Sequence, residues 1–414
     1  MSPPRRTRPR RPRRGVGDRN RGARPTRSPA PEAAAPETVR RSPAPAATVA
    51  CEVALAPGLD DLVLHELREL ARRARLPTPV TTRRDDALEV AWPGDPAQLH
   101  ALRSAQSVAR VWRFDVPRPK ALLDNTAQRT LGEGLRAIAA AAPFGALRFS
   151  AAGSGSAVMR RLAEALAASV GLPLDERTGD LVVRVRPGAQ GGWEVLARTT
   201  PRPLSVRPWR VCDRPGALDA ALAAALVRLA GVRAEDRVVN PMAGSGTLLI
   251  ERALAGPAAC LHGVEHDPAA LACAERNAAA AGVAERLRLV RGDARGTWDA
   301  SVADGPAGSG AAPRRRYDLV LVDPPWGDAV GDHAANQGLY AALLDAAAAQ
   351  TVTGGRMLLV THEVRLTERL LAGHPVWAVR HARRVWQGGH RPLCVLLERL
   401  PGALSADGDA ADAC

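Results

Sequence analysis

The chain has 414 residues, enough for two or three domains with a real core, and a formal net charge of +14. Its first fifty residues hold 13 Arg against 3 acids, so the rest is close to neutral and the pI of about 10.9 describes mainly the N-terminal segment. No uninterrupted apolar stretch is long enough to cross a membrane, no apolar run marks a secretory signal, and six scattered cysteines without a C-x-x-C pair argue for a reducing cytoplasm and against structural zinc.

Residues 1–47 are rich in Arg and Pro with almost no large apolar side chain. Such a segment is expected to be disordered and to add a salt-sensitive attraction to phosphates. Order is expected from Thr48. A strand from Val49 to Leu55 leads through Pro57-Gly58 into a helix whose Leu59, Leu62, Val63, Leu67 and Leu70 recur at three- and four-residue spacing. Strands at Ala87 to Ala91 and Val108 to Phe114, with a helix over Pro96 to Ala105 between them, complete a small α+β unit over 48–115. A second α+β unit over 116–205 has strands at Leu147 to Ala151, Leu181 to Arg186 and Trp193 to Arg198, and a helix from Ala157 to Val170 closed by Gly171.

From Pro215 the pattern becomes regular strand–helix alternation, the mark of a parallel α/β sheet. A helix from Pro215 to Leu229 precedes strands at Arg237 to Asn240, Leu261 to Glu265, Leu287 to Arg291, Tyr317 to Asp323 and Arg356 to Thr361. Helices at Leu248 to Ala255, Pro268 to Ala281 and Leu339 to Ala349 lie between them, and Gly305 to Arg316 reads as a loop. Two β runs around Gly388-Gly389 read as a terminal hairpin with at least one antiparallel strand, followed by a flexible tail over 401–414.

The chemistry clusters at the ends of these strands. Asn240-Pro241-Met242-Ala243-Gly244-Ser245-Gly246-Thr247 links the first strand to its helix, with Gly244 and Gly246 allowing close approach of a ligand. No G-K-[ST] follows, which excludes a phosphate-cradling P-loop, and Leu249 stands where a dinucleotide fold has its third glycine. S-adenosylmethionine has no pyrophosphate and needs only the first part of such a loop. Glu265 in Gly263-Val264-Glu265-His266-Asp267 would take the ribose hydroxyls, and Asp293 in Gly292-Asp293-Ala294 the adenine amino group. Asn240, Ala243, Gly244, Gly246, Thr247, Glu265, Asp267, Asp293 and Ala294 are thus the candidate cofactor residues. His262 and His266 have H-x-x-x-H spacing but sit in a strand, so no metal site is expected.

The run Leu321-Val322-Asp323-Pro324-Pro325-Trp326-Gly327 ends a buried strand in prolines, which cannot continue a sheet ladder. The strand must stop there and turn the Asp323 carboxylate and Pro324 carbonyl outward, beside the flat ring of Trp326. Two acceptors and a ring suit a planar amine: the acceptors hold its hydrogens while the ring stacks on the base. Asp323, Pro324 and Trp326 are the candidate catalytic residues.

In this order, the four motifs resemble those of class I methyltransferases acting on exocyclic amines, over residues 206–400. The resemblance narrows to the THUMP-domain RNA guanine-N2 methyltransferases. Ala56-Pro57-Gly58-Leu59-Asp60-Asp61-Leu62 looks like the start of their N-terminal ferredoxin-like domain, Leu204-Ser205-Val206-Arg207-Pro208-Trp209-Arg210 like their linker, and Gly388-Gly389-His390-Arg391-Pro392 like their G-G-L-R-P turn. Asn240 for a usual Asp, Ala243 for a frequent Cys, Trp326 for Tyr or Phe, and His390 for Leu depart from the pattern.

The resemblance implies a Rossmann-like methyltransferase sheet over 206–400, behind a ferredoxin-like domain over 48–115 and a THUMP RNA-binding domain over 116–205. It implies a cytoplasmic enzyme with S-adenosylmethionine as cofactor and structured RNA, transfer RNA before ribosomal RNA, as partner. Arg160, Arg161 and Arg391 are candidate RNA contacts. Adenine-N6 methylation is the rival chemistry. In the RNA-modifying branch of those enzymes, however, the D-P-P-W motif precedes the donor loop, whereas here it follows. A binding-only protein with a decayed site would have no need of Glu265, Asp293 and Asp323.

Overall fold

The computed structural model describes residues 48–298, 316–325 and 333–401. The Arg/Pro-rich segment, most of the 305–316 loop, Trp326 and the 402–414 tail lie outside the described residues.

The N-terminal half runs β1 (Val49–Ala54), α1 (Asp60–Arg73), β2 (Val80–Arg83), β3 (Ala87–Trp92), β4 (Ser107–Phe114), α2 (Asn125–Ala141), β5 (Leu147–Ala151), α3 (Ala157–Val170), β6 (Leu181–Pro187) and β7 (Trp193–Arg198). Its strands form one sheet in the order β2-β3-β1-β4-β7-β6-β5, in which only β5 and β6 pair in parallel. The two α+β units read from the sequence are therefore joined edge to edge through β4 and β7. Helix α2 was not legible in the sequence. Asp124 caps it by accepting from the Thr126 and Ala127 amides at 2.8 and 2.9 Å. Glycine, a poor helix former, is needed at Gly134, because a Cβ there would lie 2.3 Å from the Trp112 ring. Over Pro96–Ala101 the chain forms a short 3₁₀ helix, tighter and briefer than the helix expected there.

The C-terminal half runs α4 (Ala220–Ala230), β8 (Arg237–Asn240), α5 (Thr247–Ala255), β9 (Cys260–Glu265), α6 (Pro268–Ala280), β10 (Arg288–Arg291), β11 (Tyr317–Val322), α7 (His333–Gln350), β12 (Thr351–Thr361), α8 (Val364–Ala372), β13 (Trp377–Arg384) and β14 (Leu393–Arg399). The sheet order is β10-β9-β8-β11-β12-β14-β13, parallel through β12, with β14 antiparallel to both neighbours. This is a largely parallel α/β sheet with a terminal antiparallel hairpin. Chain progression reverses between β8 and β11, which opens a crevice at their carboxyl ends. Among the described residues no helix is long and apolar enough to cross a membrane.

One apolar core joins the halves: Leu59, Val63 and Leu67 of α1 belong to the same buried cluster as Leu222 and Leu226 of α4 and Leu249 of α5. A buried carboxylate reinforces it. Glu251 on α5 accepts from Arg103 Nε at 2.8 Å and from Arg207 Nε at 2.9 Å, so it ties the N-terminal half and the linker to the catalytic sheet. Glu251 and Arg207 are both buried. Glu251→Ala leaves a buried guanidinium without its counter-charge and should lower unfolding stability by about 3–5 kcal/mol, read from urea denaturation.

Candidate active site

The crevice is a cavity of about 530 Å³ lined by four segments. The loop after β8 contributes Asn240 and Met242 to Ser245, with Thr247 and Leu248 from the start of α5. The end of β9 contributes Glu265, His266 and Asp267, and the end of β11 contributes Asp323, Pro324 and Pro325. Arg214 to Leu218, from the linker, form the remaining wall.

Glu265 organises the floor. Its carboxylate accepts the Gly244 amide at 2.8 Å through Oε2 and the Asp267 amide at 3.0 Å through Oε1, which fixes the glycine loop against the start of α6. His266 Nδ1 lies 3.1 Å from Oε1. Asn240 closes the preceding turn by accepting from the Met242 amide at 3.1 Å. Both loop glycines have positive φ, +55° at Gly244 and +85° at Gly246. A Cβ on Gly244 would meet no protein atom within 4 Å, so the space above it is open, and the residue lines the cavity. A Cβ on Gly246 would press on Ala274 and Ile250 at 3.2 Å, so this glycine serves the packing of α5 on α6. The close helix–strand packing that a third loop glycine would provide comes instead from the strand: a Cβ on Gly263 would lie 3.1 Å from Leu249.

Asp267 caps α6 through the Ala269 amide at 2.9 Å and pairs with Arg214 at 2.5 Å. The Ala269 amide and the Arg214 charge hold its carboxyl below the usual range. Arg210 donates to Thr247 Oγ1 at 2.9 Å, and the Asn277 side chain bridges the Cys212 and Ser245 carbonyls at 2.9 and 3.0 Å. Cys212 and Cys273 form a disulfide that fastens the linker to α6. The sequence reading, which took the scattered cysteines to argue for a reducing cytoplasm, did not foresee this pair; the partners are 61 residues apart, a spacing that carries no motif.

The Asp323 carboxyl is pushed up to about 7 by burial. Asp323, Pro324 and Pro325 line the same cavity as Gly244 and Glu265. Trp326 lies outside the described residues.

Asp293 and Ala294 are placed differently. They follow β10, but neither lines the cavity; Asp293 is exposed and grips Arg295, with contacts of 2.6 to 3.1 Å. The Arg295 hydrogen bonds hold its carboxyl down at about 2. Nor does the structure bring the arginine candidates together: Arg160 and Arg161 are exposed on the first turns of α3, and Arg391 is exposed in the β13–β14 turn. The wall from Arg214 to Leu218 was missed, because the helix was read as starting at Pro215. The Pro215-Gly216 pair was the available turn signal, and Asp219 caps the helix by accepting from the Leu222 amide at 2.9 Å.

A family model described as "RMKL-like, methyltransferase domain" matches residues 207–392. The tRNA (guanine(6)-N2)-methyltransferase of Thermus thermophilus is 32% identical over 83% of this chain and 98% of its own length. The chain belongs to the tRNA guanine-N2 methyltransferase family. A homologue of the same name from Archaeoglobus fulgidus is 28% identical over 39% of this chain and 43% of its own. The crystal structure of TrmN from Thermus thermophilus superposes with a TM-score of 0.63 at 28% identity, covering 85% of this chain and 100% of that one. A solved protein complexed with SAH, 16% identical and with a TM-score of 0.58, covers 87% of this chain and 99% of its own; it shares the fold.

The residues present fit the cofactor of this family, S-adenosylmethionine. The cavity is of ligand size, the space over Gly244 is open, and Glu265 Oε2 keeps a lone pair for a hydroxyl after its bond from the Gly244 amide. Glu265→Ala should weaken S-adenosylmethionine binding by roughly 10- to 100-fold in calorimetry, since hydrogen bonds to a charged group contribute about 1.5–3 kcal/mol.

Proposed function

We propose that Asp323 and Pro324 carry out the N2 methylation of a tRNA guanosine, the activity of this enzyme family, with S-adenosylmethionine as the donor. The observation that carries this reading is the shared cavity: the strand-ending carboxylate and prolines face the same space as the glycine loop and Glu265. When bound, the donor supplies an electrophilic methyl group on a sulfonium.

The guanine amino nitrogen is a weak nucleophile because its lone pair is delocalised into the ring. The Asp323 carboxylate and the Pro324 carbonyl accept its two hydrogens, which favours pyramidal nitrogen and localises that pair. Asp323 then takes the proton released on transfer. Positioning supplies much of the acceleration, so no strong base is needed beforehand. Trp326 would complete the grip by stacking on the base. Asn240, Ala243, Gly244, Gly246, Thr247, Glu265 and Asp267 hold the donor in this reading. Asp293 would take part only by leaving Arg295 for the adenine amino group.

The N-terminal half over 48–205, read as ferredoxin-like and THUMP units, would hold folded RNA by its shape and phosphates, with Arg160, Arg161 and Arg391 as contacts. A tRNA substrate argues for the cytoplasm. The Thermus and Archaeoglobus homologues supply guanosine 6 as the first position to examine.

Asp323→Ala should abolish methyl transfer, measured by nucleoside mass spectrometry of tRNA, while calorimetry shows S-adenosylmethionine still binding. Near-wild-type transfer by this variant would overturn the assignment. The raised Asp323 carboxyl also sets a pH profile. The accepting carboxylate forms only as pH rises through about 7, so kcat/KM should fall about tenfold per unit below that point and level off above it. Stability runs the other way. Burial favours the protonated group, so stability is greatest below the ordinary carboxylate range and declines as pH rises through about 7.

A further inference from the structure

The carboxyl edge of the catalytic sheet continues past the cavity across β12, β14 and β13. Val322 of β11 pairs with Leu359 of β12, Thr361 of β12 with Leu393 of β14, and Arg384 of β13 with Leu393. These registers bring His362, just after β12, and the 385–392 turn to the edge where Asp323 stands. At ordinary strand spacing β14 lies roughly 10 Å from β11.

This edge presents flat rings. His362 and His390 meet edge to face, with centroids 5.5 Å apart and planes at 77°. Trp386 is 47% exposed and, among the described residues, is the one large aromatic side chain left exposed. A half-exposed indole offers a flat face on which a base can stack. The turn that carries it is fixed at many points. The Trp386 amide donates to the Pro57 carbonyl at 3.2 Å, Gln387 and His390 exchange backbone bonds of 2.9 Å, and Arg384 Nε donates to the Arg391 carbonyl at 2.7 Å. Arg383 reaches Gly58 and Asp61 from the neighbouring strand at 2.8 to 3.1 Å. Gly58 must be glycine for this contact, since a Cβ would lie 2.7 Å from the Arg384 carbonyl.

We propose that the 385–392 turn is a nucleotide platform: Trp386 stacks on a base beside the target guanosine, His362 and His390 wall the guanosine's pocket, and Arg391 meets the phosphate between them. The platform rests on the tRNA methylation reading and names the residues that hold the substrate strand at that site. Burial pushes the His362 imidazole down to about 4, with the charges of His390 and Arg384 acting in the same direction, so the inner ring is neutral at working pH. A neutral ring can face a base without placing a second cation beside a sulfonium.

The test uses the full chain, purified tRNA, and Trp386→Ala, Trp386→Phe and His390→Ala. Steady-state methylation gives kcat and KM for tRNA, calorimetry gives S-adenosylmethionine affinity, and thermal melting reports folding. Loss of one base stack is expected to raise the tRNA KM of Trp386→Ala by roughly 5- to 100-fold. Donor affinity should stay within twofold, and Trp386→Phe should recover most of the loss. His390→Ala should raise the same KM. An unchanged tRNA KM in Trp386→Ala overturns the platform. So does a loss confined to kcat, or an equal loss in the Ala and Phe variants with a lowered melting temperature, which marks a structural role. If the wild-type chain methylates no guanosine in tRNA, the functional reading fails and takes the platform with it. If the wild type turns over normally and Trp386→Ala matches it, the platform alone fails.

Discussion

A single carboxylate holds the donor end of this site in shape. Glu265 accepts from the amides of Gly244 and Asp267, so one side chain at the end of β9 fixes the glycine loop after β8 and the first turn of α6. A short loop with two positive-φ glycines has little stiffness of its own. Anchored this way it keeps an open space over Gly244 and leaves a lone pair on Glu265 Oε2 for a ligand's hydroxyl. The acceptor end is built by the opposite strategy. There the chain fixes Asp323 and Pro324 by ending a central strand in consecutive prolines. These two strand ends meet in one crevice, which the reversal between β8 and β11 opens.

The linker ties that crevice to the N-terminal half. Arg207 reaches the buried Glu251, Arg210 reaches Thr247 at the start of α5, and Arg214 reaches Asp267. Three arginines at spacings of three and four thus attach one irregular segment to the domain junction, the donor loop and the second helix cap. On the other side, Glu66 of α1 accepts from the Arg103 and Ser104 amides at 3.0 and 2.9 Å and pairs with Arg228 of α4 at 3.1 Å. Few side chains thus attach the N-terminal half and the linker to the loop after β8.

Legibility in the sequence followed the physics of each element. The parallel sheet could be read because buried strands leave unbroken apolar runs, and because Gly244, Glu265 and Asp323 stand where those runs stop. Helix α2 could not, since its glycine at 134 answers to the Trp112 ring, which local periodicity does not see. The 215–218 wall had a local signal in Pro215-Gly216, with Gly216 at φ +79°, and the Asp219 cap starts the helix after it. Asp293 ends its strand as the motif requires, yet Arg295, two residues on, competes for its carboxylate. The Cys212–Cys273 bond depends on a fold contact that spacing does not encode.

The joining of β4 to β7 bears on how the molecule can be cut. Six consecutive residue pairs, from Ala109 opposite Arg198 to Phe114 opposite Trp193, stitch the two N-terminal units into one ladder. A truncation at residue 115, where composition suggests a boundary, would bare two long hydrogen-bonding rims, each a template for self-association. Fragments that retain 48–205 together keep every interior strand of this sheet partnered, but they uncover the face of α1 that packs against α4 and α5.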